Sequence, residues 1–435
     1  MKSSTPMSLG EKIRQVRLAK GYSQENLAKA TNTSKTYISR IERGDAECSD
    51  EMLVIIKKFL DIENAPLFEH ELKLYKQQLL VWNELQGAHR ASESEAMEIK
   101  LAPILKLPFE RDLSLLYTML KIKGFSSVGR SAKMEEAVTA VEPLPNDASI
   151  EVLHLYHYVK SYIYHHKHDF VNALGHSLKA LKYESEDIKA GANLVFNIGC
   201  LYLNIGKPFH AISYLERAKA EYRGDSTNRL VYLIESMLGT CCIYLDDLKK
   251  AKGLCEDSLA HARRNNMVPD VMDALTRLSY ISLSMNDYDK CLSICGQQIT
   301  HINANTDPEY KHVNKIYHAL ALFFEARCFI ETNKRDELHE ALTQGASLAQ
   351  SDESLTIWFE SLRCISTLKD KESQEYLHNI ALPHFLCPEN DYYSTALYLC
   401  DKLEAHYRKN GATSKADAVG CISRDIYVGM VSDVE

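Results

Sequence analysis

The sequence predicts an all-α protein: a small N-terminal helical bundle followed by a long array of helix pairs. Three observations carry this expectation. Apolar residues recur at spacings of three and four along most of the chain, the period of a helix with one buried face. Serines stand where helices should begin, the first with Glu three places on, as in Ser8-Leu9-Gly10-Glu11. From about residue 105 small residues return roughly every forty positions, the mark of stacked repeats.

The bulk numbers bound the classes. With 435 residues the chain is too long for one small core. Apolar content of 45% and charged content of 25% are those of a globular protein and exclude a disordered chain. No apolar run is long enough to span a bilayer, and the first residues, MKSSTPMSLGEKIRQ, lack the apolar stretch of a secretion signal. A cytoplasmic protein with no membrane partner is expected. The 12 Cys are scattered, which in a reducing compartment makes them small buried hydrophobes. The net charge of −8 argues against a chain devoted wholly to nucleic acid, yet residues 1–62 hold 11 Lys+Arg against 8 Asp+Glu, net +3, and the remainder is −11. A basic head on an acidic body fits DNA contact at one end only.

Within the head, Ser8 and Glu11 form a capping box, each satisfying a free N–H of the other's turn. Leu9, Ile13 and Val16 then share a face, and Gly21 ends the helix. Ser23 caps a second helix carrying Leu27 and Ala28, and Ser34 a third with Ile38 and Ile41 inward. A fourth runs from Asp50 with Leu53, Ile56 and Leu60 inward. The segment Gln24 to Gly44, QENLAKATNTSKTYISRIERG, resembles the helix-turn-helix of phage-repressor-like and XRE-type regulators. The resemblance implies that Ala28 is the small residue where the two helices touch and that Asn32 stands at the turn that needs positive φ, which Asn tolerates. That resemblance implies that the third helix enters the major groove with its N-terminal residues facing the bases. Ser34, Lys35, Thr36, Ser39 and Arg40 then become base readers, Arg40 with a two-pronged contact to guanine. Gln24 matches the family's phosphate contact, and Lys20, Tyr37 and Arg43 are phosphate neighbours. Arg17 and Glu42 match a family ion pair that joins the first helix to the third.

Pro66 closes the head, giving a DNA-binding domain over 1–65. A linker helix over 66–100 follows, with Phe68, Leu72, Tyr75, Leu79 and Trp82 on a heptad seam that either seals a dimer or packs on the helix pairs. The stretch GAHRASESEAME, 87–98, is a loop or an exposed helix.

In the remainder, 101–435, Gly199, Tyr202, Gly206, Ala211, Leu215 and Ala218 have the spacing of the tetratricopeptide signature. Gly239, Ala251 and Cys255 repeat it, then Ser279, Cys291 and Cys295. Ser161, Tyr164, Phe170, Ala173 and Ala180 fit the frame upstream, and Ala326, Phe329, Leu338 and Leu342 fit it loosely downstream. Residues 110–142, 353–383 and 391–430 supply further pairs, seven or eight in all. The expected architecture is a tetratricopeptide-like right-handed solenoid whose first helices line a concave groove suited to an extended peptide. In that frame Asn197, Arg277, Asn193 and Arg327 are the leading groove residues, with Tyr162, Thr240 and Tyr280. Asn amides pair with a peptide main chain and Arg takes a carboxylate.

A helix-turn-helix head with long-period tetratricopeptide-like repeats resembles the Rap–Rgg–NprR–PlcR–PrgX family of Gram-positive bacteria, most of all its NprR-like branch. The resemblance implies a short, secreted and re-imported oligopeptide ligand, homodimers or higher oligomers, and operator DNA binding switched by peptide. It also implies a second use, an adaptor that sequesters a signalling protein such as a response regulator. A mobile-element repressor controlled by a protein partner is a third. No phosphate loop, nucleophile elbow or HExxH motif is present, so no enzyme and no cofactor are expected. His154, His157, His165, His166 and His168 cluster, but His165 to His168 abut a loop where solvated His is common, so no metal is expected either.

Overall fold

The computed structural model describes residues 7–87, 90–125, 131–185, 191–221, 229–304, 311–350, 352–386 and 393–431. All regular structure among them is helical, and the chain divides into two compact units, Met1–Gly191 and Ala192–Glu435. No helix among the described residues is long and apolar enough to cross a membrane.

Unit 1 opens with α1 (Leu9–Ala19), α2 (Gln24–Ala30), α3 (Lys35–Arg43) and α4 (Asp50–Phe59). Their boundaries are set locally. Ser8 Oγ accepts from the Glu11 N–H while Glu11 takes the Ser8 N–H; Ser23 and Asn26 do the same for α2, and Ser34 and Ser49 cap α3 and α4. Gly21 and Gly44, at φ 71° and 79°, end α1 and α3, and Asn32 takes φ 50° in the turn between α2 and α3. Ile13, Val16, Leu27, Ile38, Ile56 and Leu60 are all at most 1% exposed and form the head's core.

That core does not stop at Pro66. The connector is α5 (Glu69–Gly87), α6 (Ala91–Leu101) and a 3-10 turn (Ala102–Lys106), followed by α7 (Arg111–Gly124) and α8 (Ser131–Thr139). The seam of α5 turns inward: Tyr75 OH donates to the Leu101 carbonyl at 2.7 Å, Trp82 Nε1 to Ser94 Oγ at 2.9 Å, and the Trp82 ring lies 5.3 Å from Tyr117. Of the two uses expected for the heptad, packing within the chain is the one seen for Tyr75, Leu79 and Trp82, whereas Phe68 is exposed. Lys12, buried on α1, donates to the Leu67 carbonyl at 2.6 Å, so head and connector share both core and hydrogen bonds. The pair α9 (Ile150–His166) and α10 (Phe170–Lys182) completes the unit.

Unit 2 contains α11 (Ala192–Asn204), α12 (Pro208–Glu221), α13 (Arg229–Tyr244), α14 (Leu248–Arg264), α15 (Val268–Ser284) and α16 (Tyr288–Ala304). It continues with α17 (Lys311–Glu331), α18 (Arg335–Ala349), α19 (Glu353–Ser366), α20 (Lys371–Tyr376), a π-helical segment (Leu377–Ala381), α21 (Leu382–Leu386), α22 (Tyr393–Lys409) and α23 (Thr413–Val431). Each helix packs on its chain neighbours, and first helices also meet the next first helix, α11 on α13, α13 on α15, α15 on α17 and α17 on α19. The repeat signature has a direct physical meaning. A Cβ on Gly199 would stand 2.7 Å from Leu215 Cγ, and one on Gly239 would stand 2.9 Å from Cys255 Sγ. The equivalent Ser279 and Cys295 touch at 3.6 Å, and in unit 1 Ser161 and Ser177 at 2.6 Å. Within these pairs the turn residue has positive φ each time: His168, Gly206, Asp246, Asn286, Asn333 and Gly411. The last helix returns to the unit's first pair, where Lys207 Nζ donates to the Gly429 carbonyl at 2.6 Å in the final turn of α23, the negative end of its dipole.

Candidate DNA-reading helix and candidate peptide groove

The head presents α3 with its apolar residues inward and its polar residues outward. Ile38, Ile41 and Glu42 are buried. Ser34, Lys35, Thr36, Arg40 and Arg43 are exposed, and Tyr37 and Ser39 are half-buried beside them. The five expected base readers therefore sit on the outward part of one helix. The present partners of Arg40 and of the flanking Arg43 and Tyr37 are weak and local: Arg40 reaches the Asp45 carbonyl at 3.2 Å, Arg43 pairs with Asp45 at 3.2 Å, and Tyr37 OH donates to the Glu47 carbonyl at 3.2 Å. Such exposed contacts are readily exchanged for phosphate or base contacts.

Behind α3 lies a buried polar lock. Arg17 Nε and Nη2 meet Glu42 Oε1 and Oε2 at 2.6 and 2.9 Å, and Arg17 Nη1 donates to the Tyr22 carbonyl at 2.6 Å. Gln24, expected at a phosphate, donates to Glu42 Oε2 at 2.8 Å. Lys20 pairs with Asp61 at 3.4 Å, and Lys106, with Lys20 behind it, holds the Asp61 carboxyl below the usual range. Gly10 was not singled out from the sequence beyond its place in the capping box, yet α1 and α3 meet there: a Cβ would stand 1.9 Å from the Ile41 carbonyl oxygen. A Gly in the first turn of a helix was the available signal.

The groove candidates divide between the units. Tyr162 lies in unit 1, half-buried, its ring 4.6 Å from His166. The other six lie in unit 2. Asn193 and Asn197 are half-buried on α11. Thr240 and Arg277 are brought together: Arg277 Nε donates to Thr240 Oγ1 at 2.7 Å, and Nη1 pairs with Asp273, which also accepts from Ser236 at 3.3 Å. Tyr280 sets its ring against Phe324 at 6.3 Å. Arg327 is 8% exposed, its guanidinium 3.8 Å over the ring of Tyr398. Tyr398 was missed because the last helix pairs carry too little of the repeat signature to place their residues.

The His cluster is a packing feature of the first complete pair. His157 Nδ1 and His176 Nδ1 face each other at 2.9 Å, Tyr183 stacks on His157 at 5.6 Å, and His154 Nδ1 meets the Ala180 carbonyl at 2.8 Å. No metal-binding group of His, Cys, Asp and Glu occurs among the described residues, and His168 is a turn residue with φ 58°. Burial, and then His176, push His157 down to about 4, and burial lowers His154 and His176 as well. A histidine whose folded pKa lies below its unfolded value binds fewer protons when folded. Its stabilising contribution is complete above the unfolded value near 6.5 and is lost as pH falls toward 4. The melting temperature of the protein should therefore fall between pH 7 and pH 5, and His157→Gln should flatten that fall. Calorimetry at both pH values checks this; parallel profiles for wild type and variant would contradict it.

With this geometry in view, the relatives are informative. A helix-turn-helix family model matches residues 13–63. The control protein C.BamHI of Bacillus amyloliquefaciens is 37% identical over 70 residues, which is 16% of this chain and 86% of that protein. Among solved structures, a Rap protein complexed with Competence and Sporulation Factor aligns with a TM-score of 0.63 at 15% identity, over 82% of this chain and 99% of that one. The apo quorum sensor NprR from B. thuringiensis aligns with a TM-score of 0.60 at 14% identity, over 82% and 99%. NprR in complex with its cognate peptide NprX gives 0.61 at 14%, over 81% and 99%. The head is thus a DNA-binding domain of the helix-turn-helix family, joined to helix pairs that have the fold of Rap and NprR.

Proposed function

We propose that this protein is a cytoplasmic transcriptional regulator that binds operator DNA through α3 and is controlled by a short signalling oligopeptide held on the first helices of its repeats. The observation that carries the reading is the outward row Ser34, Lys35, Thr36, Ser39 and Arg40, mounted on a helix whose other side is locked into the head. Gln24, Lys20, Tyr37 and Arg43 flank it as phosphate contacts. The peptide half of the reading is supported by half-buried Asn193, Asn197, Thr240, Arg277 and Tyr280, with Arg327, all in unit 2. It is supported also by the complex of NprR with its cognate peptide NprX, a protein that shares the fold. A homodimer matches two half-sites of an operator.

The test begins with selection of preferred duplexes from a random pool by the full-length protein. Arg40→Ala should lower affinity for the selected sequence about 5- to 150-fold, the equivalent of about 1–3 kcal/mol for one bidentate base contact, and should relax the preference at one position. Lys35→Ala and Arg40→Ala variants that bind the selected sequence like wild type would remove α3 from the groove. Peptides retained from culture supernatant, identified by mass spectrometry and synthesised, should then change DNA affinity, and DNA should change peptide affinity by the same factor. Peptide binding indifferent to DNA, or retention of a response regulator in place of peptide, would favour the adaptor reading.

A further inference from the structure

Arg277, Arg327 and Lys402 are cationic side chains of unit 2 that are at least half-buried. Two of them have a carboxylate of their own. Arg277 pairs with Asp273, and Lys402 pairs with Glu331 at 2.7 Å. Arg327 does not. Among the described residues no carboxylate lies within ion-pair distance of it, although it is 8% exposed and its Nε has no hydrogen-bond acceptor. Glu331, one turn along α17, is already engaged by Tyr398 OH at 3.1 Å and by Lys402.

An arginine cannot shed its charge when it is buried, and a buried cation without an anion is costly. The ring of Tyr398 covers one face of the guanidinium and offsets part of that cost. The flat edge of the fork is the side that an oxyanion uses, through two parallel N–H donors. The local charge sets the anion's class. Arg327 and Lys402 against Glu331 leave one positive charge, so a monoanion completes the site, and Glu331 repels a dianion such as phosphate. We propose that Arg327 is the receptor for a carboxylate of the bound peptide, with Tyr398 holding the guanidinium in place; this rests on the peptide-binding reading above. The carboxylate is either the peptide's C-terminus or an acidic side chain. At Arg277 an incoming carboxylate would meet Asp273, so the two arginines are not equivalent.

The first test needs no ligand. Arg327→Met keeps the length and apolar stem and strands no acidic partner, so the variant should melt at the wild-type temperature or above it. A clear loss of stability, repeated in Arg327→Gln, would make Arg327 a structural residue and overturn the assignment. The second test uses three synthetic pools of randomised heptapeptides on immobilised full-length protein, read by mass spectrometry. One pool has a free C-terminal carboxylate and lacks Asp and Glu, one is C-terminally amidated and contains them, and one is amidated without them. Wild type should retain peptides from one of the first two pools at least tenfold better than the third, which names the source of the carboxylate, and Arg327→Met should lose that preference. Equal retention by wild type and variant would sink the Arg327 assignment and leave the peptide reading standing. No retention by wild type from any pool would remove the peptide reading itself. Inorganic phosphate that raises the wild-type melting temperature but not that of Arg327→Met would replace the carboxylate by phosphate and overturn the assignment of ligand class.

Discussion

Gly10→Ala is expected to destabilise the head and weaken DNA binding, although it exchanges the poorer helix former for the better one. Helix propensity alone would favour Ala inside α1 by about 1 kcal/mol. The opposing effect is steric and larger. The new Cβ would stand 1.9 Å from the Ile41 carbonyl oxygen and 2.9 Å from its carbon. Both are backbone atoms of α3, and the same carbonyl accepts the Gly44 N–H that ends that helix at 3.0 Å. No rotamer change relieves the clash; α1 and α3 must move apart, loosening Ile13, Val16 and Ile38. Overpacking that needs backbone displacement costs about 1–3 kcal/mol, with a clash against backbone atoms at the upper end, against a total stability of about 5–15 kcal/mol for a domain. The internal control is Gly175→Ala on α10, where a Cβ meets nothing within 4 Å and the chain should gain up to about 1 kcal/mol. Thermal melts of the two full-length variants check both statements. A Gly10→Ala protein that melts with wild type would show that α1 and α3 are not in contact at that point.

The contrast between those two glycines marks how far the sequence could be followed. Signals confined to one turn were legible: the Ser8–Glu11 box, the caps at Ser23 and Ser34, and positive φ at Asn32 all appear as expected. So was the repeat, because Gly199 and Leu215, or Ser279 and Cys295, are neighbours at a fixed spacing that one pair of packed helices imposes. What depends on a partner distant in the chain was not legible. Gly10 gains its meaning from Ile41, and the α5 seam shows that Tyr75 and Trp82 are buried without showing that Leu101 and Ser94 receive them. The frame placed Arg277 and Arg327 on first helices, where they are, gave both the same chemistry and ranked Arg277 first. Only the structure separates an arginine paired with Asp273 from one covered by Tyr398, since Tyr398 comes from a helix pair whose repeat signature has faded.

Arg17→Ala should destabilise the head by about 3–5 kcal/mol while leaving its preferred DNA sequence unchanged. An exposed ion pair would contribute under about 1 kcal/mol, so the burial of this one decides the size of the effect. Arg17 and Glu42 are 5% and 2% exposed, and they meet through two hydrogen bonds in the bidentate geometry that favours Arg over Lys. Removing Arg17 leaves the Glu42 carboxylate buried with only the Gln24 amide upon it, and it frees the Tyr22 carbonyl as well. Arg17→Lys should recover little, since an ammonium cannot serve both carboxylate oxygens and that carbonyl in the same plane. Replacing both partners by apolar residues of similar size, Arg17→Met with Glu42→Leu, should restore much of the stability lost in either single variant, because no charge is then stranded. The readout is a set of full-length melts together with affinities for selected and random duplexes. In Arg17→Ala both affinities should fall together, in proportion to the folded fraction, whereas Arg40→Ala should lose only the selected sequence. Unchanged melting with lost DNA binding would instead place Arg17 on the DNA.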